Sequence, residues 1–250
     1  MPKFFIDQEQ VKEDKIKIIG NDVNHIKNVL REKVGNKLTI CNTYDMKDYL
    51  CEITKLDEEC VECQIKETLE NNVESNIKVT IMQGLPKADK MELIIQKSVE
   101  LGVFDITPIE MKRCVVKLNE KDKQKKIQRW QKISEVAAKQ CGRNIIPSIN
   151  SIINIKNVCN LLNEYDIVLL AYENEKETTL KQVLNEIKQS YNQKEIKIAI
   201  IIGPEGGIAP DEVGILKENG AKSITLGKRI LRTETVALNV LSVIMYELEN

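Results

Sequence analysis

Residues 197–203 read Lys-Ile-Ala-Ile-Ile-Ile-Gly, and no other stretch restricts the fold as much. A strand that is apolar on both faces must be covered on both, which is the condition of a central strand in a largely parallel sheet flanked by helices. The run stops at Gly203, and the loop Gly203-Pro204-Glu205-Gly206-Gly207 leads to Pro210-Asp211-Glu212, where proline suits the first turn of a helix. Other short apolar strands, Val79–Met82, Ile167–Ala171 and Ser223–Leu226, alternate with helical patterns. In Ala88–Gly102, for example, Met91, Ile94, Ile95 and Val99 share one face, Lys97 and Glu100 fall toward a polar one, and Gly102 suits the stop. The expected class is α/β, and in open α/β sheets ligands collect at the carboxyl ends of strands.

The first 70 residues follow a different pattern. Lys15–Ile19, Lys37–Cys41, Tyr49–Leu56 and Cys60–Lys66 are short strand candidates, and Val34-Gly35-Asn36-Lys37 supplies a turn. A small β-barrel is expected. The polar, aperiodic stretch Glu70–Asn76 marks the boundary, giving domains at 1–72 and 73–250.

Several function classes are excluded early. No apolar run approaches the length of a membrane span, and the N-terminus lacks the apolar core of a signal peptide, so a cytoplasmic protein without membrane contact is expected. Seven cysteines without a framework suggest reduced thiols. His25 is the one histidine, and Cys60 and Cys63 lack a second pair, so no metal site is expected. The net charge of −1 argues against a protein that merely coats nucleic acid. Local charge differs: residues 112–143 carry eleven basic and three acidic side chains, a candidate phosphate-facing patch as well as a solvated helix face with Ile127, Trp130, Ile133 and Ala137 turned inward. Residues 1–70 hold eleven basic against fifteen acidic groups, so any phosphate-facing patch there must be localised.

The glycine loop is not a phosphate loop, because it lacks the Gly-Lys-Ser/Thr ending, nor a dinucleotide fingerprint, because it lacks GxGxxG. Glu205 within it disfavours a phosphate and suits a cofactor carrying positive charge or hydroxyls. A second stretch completes the site: after Ser223–Leu226 come Gly227, then Lys228-Arg229-Ile230-Leu231-Arg232, then a helix from about Thr233. Three cations in so short a loop are costly to bury without partners.

Gly203-Pro204-Glu205-Gly206-Gly207 and Leu226-Gly227-Lys228-Arg229-Ile230-Leu231-Arg232-Thr233-Glu234-Thr235, in that order near the C-terminus, resemble the last two motifs of SPOUT-class RNA methyltransferases. The variant is similar to the ribosomal RNA small subunit methyltransferase E family. Further matches are His25–Arg31, Lys97–Val103, Lys112–Val116 and Ala137–Arg143; Val236 departs from the small residue, commonly alanine, that usually follows the Thr-Glu-Thr run.

The resemblance implies a PUA-like N-terminal β-barrel that binds RNA, and a C-terminal trefoil-knotted SPOUT domain with a parallel sheet. It also implies a homodimer that uses S-adenosyl-L-methionine to methylate uridine N3 in 16S ribosomal RNA or the small ribosomal subunit. Carried over residue by residue, the cofactor would be held at Leu170 and Ala171, at Ile202, Gly203, Glu205 and Gly207, and at Leu226, Gly227, Ile230 and Leu231. Arg232 and Glu234 are the catalytic candidates, one for charge on the uracil carbonyls and one for the N3 proton; the scaffolding alternative pairs them with each other. RNA contacts fall to Lys27, Arg31, Lys33, Arg113, Lys117, Gln140 and Arg143, while His25 is read as packing. A ribose 2′-O-methyltransferase would carry Ser-Leu-Asn in the last motif, and a non-catalytic RNA-binding assembly factor would have lost the cofactor loops.

Overall fold

The computed structural model describes residues 3–70, 73–190 and 195–249. It divides into two compact units, Met1–Glu74 with Ala138–Ile146, and Ser75–Ala137 with Pro147–Asn250. The second stretch of the first unit is one that a single cut between residues 72 and 73 does not express. Asn71 and Asn72, at the centre of the expected boundary, lie outside the described residues.

The first unit is a six-stranded sheet. Its strands are β1 (Lys3–Ile6), β2 (Val11–Lys12), β3 (Lys15–Ile19), β4 (Lys37–Asn42), β5 (Lys47–Leu56) and β6 (Cys60–Leu69), with a helical turn, α1 (Asn21–Asn24), after β3. The strand order is β1-β4-β5-β6-β3-β2, antiparallel except for β1 beside β4. Alternation decides which side chains turn inward: in β3, Ile16 and Ile18 are buried while Lys15, Lys17 and Ile19 face out. They join Phe4, Ile6, Leu38, Ile40, Ile53 and Val61 in one core. Register shifts between β5 and β6 at Leu50/Cys51 and Ile53/Lys55 bend this sheet locally. Cys41, Cys51 and Cys63 are buried free thiols, and burial pushes each up to about 12. His25 lies with its ring edge-on to Phe4, at 6.1 Å between centroids.

An ion pair holds Ala138–Ile146 within this unit. The Arg143 guanidinium meets Glu74 at 2.6 Å, and the same carboxylate accepts the backbone N–H groups of Asn144 and Ile145 at 2.8 and 3.2 Å. Burial pushes the Glu74 carboxyl up, but Arg143 and those N–H groups outweigh it and hold it below the usual range. Lys3 reaches the buried Asp48 at 2.7 Å and donates to the Gly142 carbonyl at 2.8 Å.

The second unit is a seven-stranded parallel sheet with helices. In chain order it comprises β7 (Ile77–Gly84), α2 (Lys90–Glu100), β8 (Asp105–Glu110), α3 (Glu120–Cys141, whose residues from Ala138 on count with the first unit), β9 (Ser148–Ile149), β10 (Ile153–Asn154), α4 (Ile155–Leu161), β11 (Ile167–Ala171), α5 (Leu180–Ser190), β12 (Ile196–Ile202), α6 (Pro210–Glu218), β13 (Lys222–Ile224) and α7 (Thr233–Leu248). The order is β10-β8-β7-β12-β11-β13, with β9 beside β8. β12 lies between β7 and β11, so every residue of it but Lys197 is buried, as its unbroken apolar run requires. Met91, Ile94, Ile95 and Val99 form the buried face of α2, which packs against α7. Among the described residues, no helix is long and apolar enough to cross a membrane.

Candidate active site

β11 is paired in parallel with both β12 and β13, which sets Ala171 opposite Ile202 on one side and Ile224 on the other. Three chain segments therefore leave the sheet side by side at its carboxyl edge. Their loops wall a cavity of about 550 Å³, within the range of small-molecule sites.

The loop after β12 needs glycine at two points. A Cβ on Gly203 would stand 2.8 Å from Ile208 Cγ1 and 3.0 Å from the Gly207 carbonyl carbon. Gly207 has φ +69°, and its N–H closes a turn onto the Pro204 carbonyl at 2.9 Å. Gly203 lets the loop close on itself, and both glycines line the cavity.

The surrounding elements fasten this loop. The Glu205 carboxylate accepts the backbone N–H of Lys87 at 3.1 and 3.3 Å and pairs with Lys90 at 2.9 Å. Lys90 Nζ is also 3.4 Å from Glu234 Oε2, so one ammonium bridges the glycine loop and the first turn of α7. Burial pushes the Glu205 carboxyl up, but Lys90 and the Lys87 N–H outweigh this and hold it below the usual carboxylate range. Glu205, and to a smaller extent Glu234, push Lys90 up in turn. Arg113 Nη1 donates to the Gly206 carbonyl at 3.0 Å. The loop that carries Arg113 is anchored by Lys112 N–H to Glu212 Oε1 at 2.9 Å, and Glu212 also caps α6 through the Ala209 N–H at 3.3 Å.

Thr233 holds the remaining side. Its Oγ1 donates to the Gly203 carbonyl at 2.7 Å and accepts from the buried Gln83 Nε2 at 2.8 Å. Arg232, just before α7, has extended backbone (φ −67°, ψ 151°), and its side chain is exposed. Among the described residues its guanidinium has no hydrogen-bond or ion-pair partner, nor do the exposed Lys228 and Arg229. The three cations of this loop escape the cost of burial by facing solvent, and Ile230 beside them is 88% exposed. Arg232 and Glu234 are not paired with each other: Glu234 pairs with Lys90, which leaves Arg232 open to the cavity it lines.

All the residues expected at the cofactor line this cavity except Leu170, which is fully buried within β11. Lys90, Tyr172, Glu173 and Thr233 also line it and were not anticipated. No local signal marks Lys90: it follows the carboxyl end of β7, and the pairing of β7 with β12 is what brings it to the site. Val236, at the position where a small residue is usual, faces the cavity as well.

The expected RNA contacts divide between the units. In the second unit Arg113 and Lys117 are exposed. In the first, Arg31, Lys33 and Gln140 are exposed, and the half-buried Lys27 pairs with Glu58. Arg143 is a correction. It is 6% exposed and its guanidinium is spent on Glu74, so it serves the packing of the first unit and presents no charge to a phosphate.

Comparison with known proteins agrees with this geometry. A family model described as an RNA methyltransferase domain matches residues 73–245, and one described as an RNA methyltransferase PUA domain matches residues 18–66. The chain is 37% identical to the ribosomal RNA small subunit methyltransferase E of Bacillus subtilis, over 100% of this chain and 98% of that one. It is 35% identical to the protein of the same name from Mesomycoplasma hyopneumoniae, over 97% and 98%. Among solved structures it resembles the ribosomal RNA small subunit methyltransferase E of Neisseria gonorrhoeae bound to S-adenosyl methionine, with a TM-score of 0.84 at 29% identity over 98% and 97% of the two chains. An α/β unit with a parallel sheet, preceded by a PUA unit and carrying two glycine-bearing loops around one cavity, thus places this chain in the ribosomal RNA small subunit methyltransferase E family.

Proposed function

We propose that this chain is an S-adenosyl-L-methionine-dependent methyltransferase acting on N3 of a specific uridine in 16S ribosomal RNA. One observation carries the reading: the two motif loops meet in one cavity at the strand ends, with the Arg232 guanidinium free at its wall and Glu234 beside it on the first turn of α7. The residues fit the cofactor. Bare backbone at Gly203 and Gly207, with apolar groups from Ile202, Leu226, Ile230 and Leu231, suits an adenine and a ribose, and carboxylates suit a cation.

When bound, S-adenosyl-L-methionine supplies a methyl group on a sulfonium: the new N–C bond forms as C–S breaks, and the sulfur leaves as a neutral thioether. The protein's own work is alignment and management of one proton. Arg232 stabilises negative charge on the uracil carbonyls as the N3 proton departs, and Glu234 accepts or relays that proton. Arg31, Lys33, Lys117 and Gln140, with Arg113 and Lys27, guide the RNA through its phosphates and bases.

The rest of the proposal follows the family resemblance: a homodimer, a trefoil knot and a cytoplasmic location, with no metal and no membrane. The return of α7 from the edge strand β13 to pack on α2 and β7 supports the knot.

The test uses purified protein, methyl-labelled cofactor and small ribosomal subunits from a strain lacking the activity. Label is expected in the RNA of the small subunit. Cofactor binding without transfer would favour a non-catalytic RNA-binding role.

A further inference from the structure

Two carboxylates, Glu205 and Glu173, stand at the cavity wall, and their surroundings differ. Glu205 is saturated: it accepts the Lys87 N–H and is neutralised by Lys90. Its loop position made it the sequence's candidate for holding a positive cofactor, yet its charge is already spent within the protein. Glu173 follows β11 by two residues, is exposed, and has neither a hydrogen-bond nor an ion-pair partner among the described residues. It reaches over the glycine loop, since its Oε1 lies 2.5 Å from where a Cβ on Gly207 would be. That places an uncompensated negative charge beside the bare backbone that a ligand must approach.

We propose that Glu173 is the residue that recognises the cationic part of the cofactor, its sulfonium or its α-ammonium. This rests on the reading of the cavity as an S-adenosyl-L-methionine site and deepens it. Lys228, Arg229 and Arg232 line the same cavity without acidic partners, so Glu173 is also what keeps its wall from being uniformly cationic. A cation held there replaces water around a carboxylate that makes no internal bond, whereas a ribose hydroxyl, the other group a carboxylate accepts, is shared by ligands with and without the positive charge. Gly207 is then constrained twice, by its positive φ and by the space that Glu173 occupies above it.

The test is calorimetric and needs no RNA. Glu173→Gln is isosteric at an exposed position, and an unchanged Tm checks that it folds. Three probes are titrated into wild type and variant: S-adenosyl-L-methionine, S-adenosylhomocysteine, which keeps the ammonium but not the sulfonium, and methylthioadenosine, which has neither. The variant is expected to bind S-adenosyl-L-methionine about tenfold more weakly, the scale of a hydrogen bond to a charged group, with methylthioadenosine unchanged. A parallel loss for S-adenosylhomocysteine assigns the ammonium, and its retention assigns the sulfonium. Equal affinity of wild type and variant for S-adenosyl-L-methionine, or an equal loss for all three probes, overturns the proposal. Failure of wild type to bind any probe would instead overturn the reading of the cavity.

Discussion

The Oγ1 of Thr233 donates to the carbonyl of Gly203 at 2.7 Å, tying the first residue of α7 to the residue that follows β12. The same oxygen accepts from Gln83, which is fully buried at the end of β7. One hydroxyl thus joins two strand ends and a helix start beneath the cavity floor. Thr233→Val keeps the shape and removes both bonds. Gln83 keeps its bonds to the Gly84 carbonyl at 2.9 Å and the Gly203 carbonyl at 3.4 Å, so the loss is expected to cost about 0.5–1.5 kcal/mol per bond, measured by urea denaturation, and to weaken cofactor binding. Unchanged stability would show that the bond holds nothing.

Lys90 bridges Glu205 and Glu234. In Lys90→Met the two carboxylates face each other without a counter-charge, so turnover is expected to fall roughly tenfold, the size of one lost charged hydrogen bond, while Lys90→Arg retains most of it. The sign of the pH effect follows from Glu205, whose carboxyl is held below its usual range. Its contribution is present above that range and is lost as pH falls through the depressed value. Cofactor affinity in Lys90→Met should therefore begin to decline at a higher pH than in wild type, as calorimetry across acidic pH would show.

Arg232→Ala removes a guanidinium with no partner among the described residues. Stability and cofactor affinity should be nearly unchanged, while kcat falls by about two orders of magnitude, the scale of a lost charge-stabilising donor. Single-turnover methyl transfer measures this, and an unchanged rate would remove Arg232 from the chemistry.

Glu74 and Arg143 form a buried pair, at 7% and 8% side-chain exposure. Glu74→Gln removes the carboxylate charge from this buried pair and should cost about 3–5 kcal/mol. The folded-state pKa of Glu74 is depressed, so the pair contributes fully above the usual carboxylate range and loses its contribution as pH falls through the lowered value. Acid unfolding of the variant should accordingly be shallower than that of wild type. Equal acid transitions would contradict this assignment.

Much of the fold was legible because burial on both faces leaves an unambiguous pattern. Lys15–Ile19 and Ile167–Ala171 appear with the expected bounds, and the apolar run read from Lys197 to Gly203 is β12, Ile196–Ile202. β5 begins earlier than its apolar pattern, at Lys47, because the buried Asp48 is compensated by Lys3 from β1, a partner that no local window contains. Arg143 was misread for the same reason. In sequence it extends a basic run, and only the fold brings Glu74 to it. The glycines of the site were readable from backbone geometry alone, whereas Lys90, Thr233 and Glu173 act through partners or spaces that long-range pairing creates.

The most direct measurement is the identity of the modified nucleoside. Small subunits from a strain lacking the activity are incubated with wild-type protein and methyl-labelled S-adenosyl-L-methionine, and the RNA is digested and analysed by mass spectrometry. The account predicts a single labelled product, uridine methylated on N3 of the base, formed about a hundredfold more slowly when Arg232→Ala replaces the wild type. Label on the ribose, or no labelled nucleoside although the cofactor binds, would contradict it.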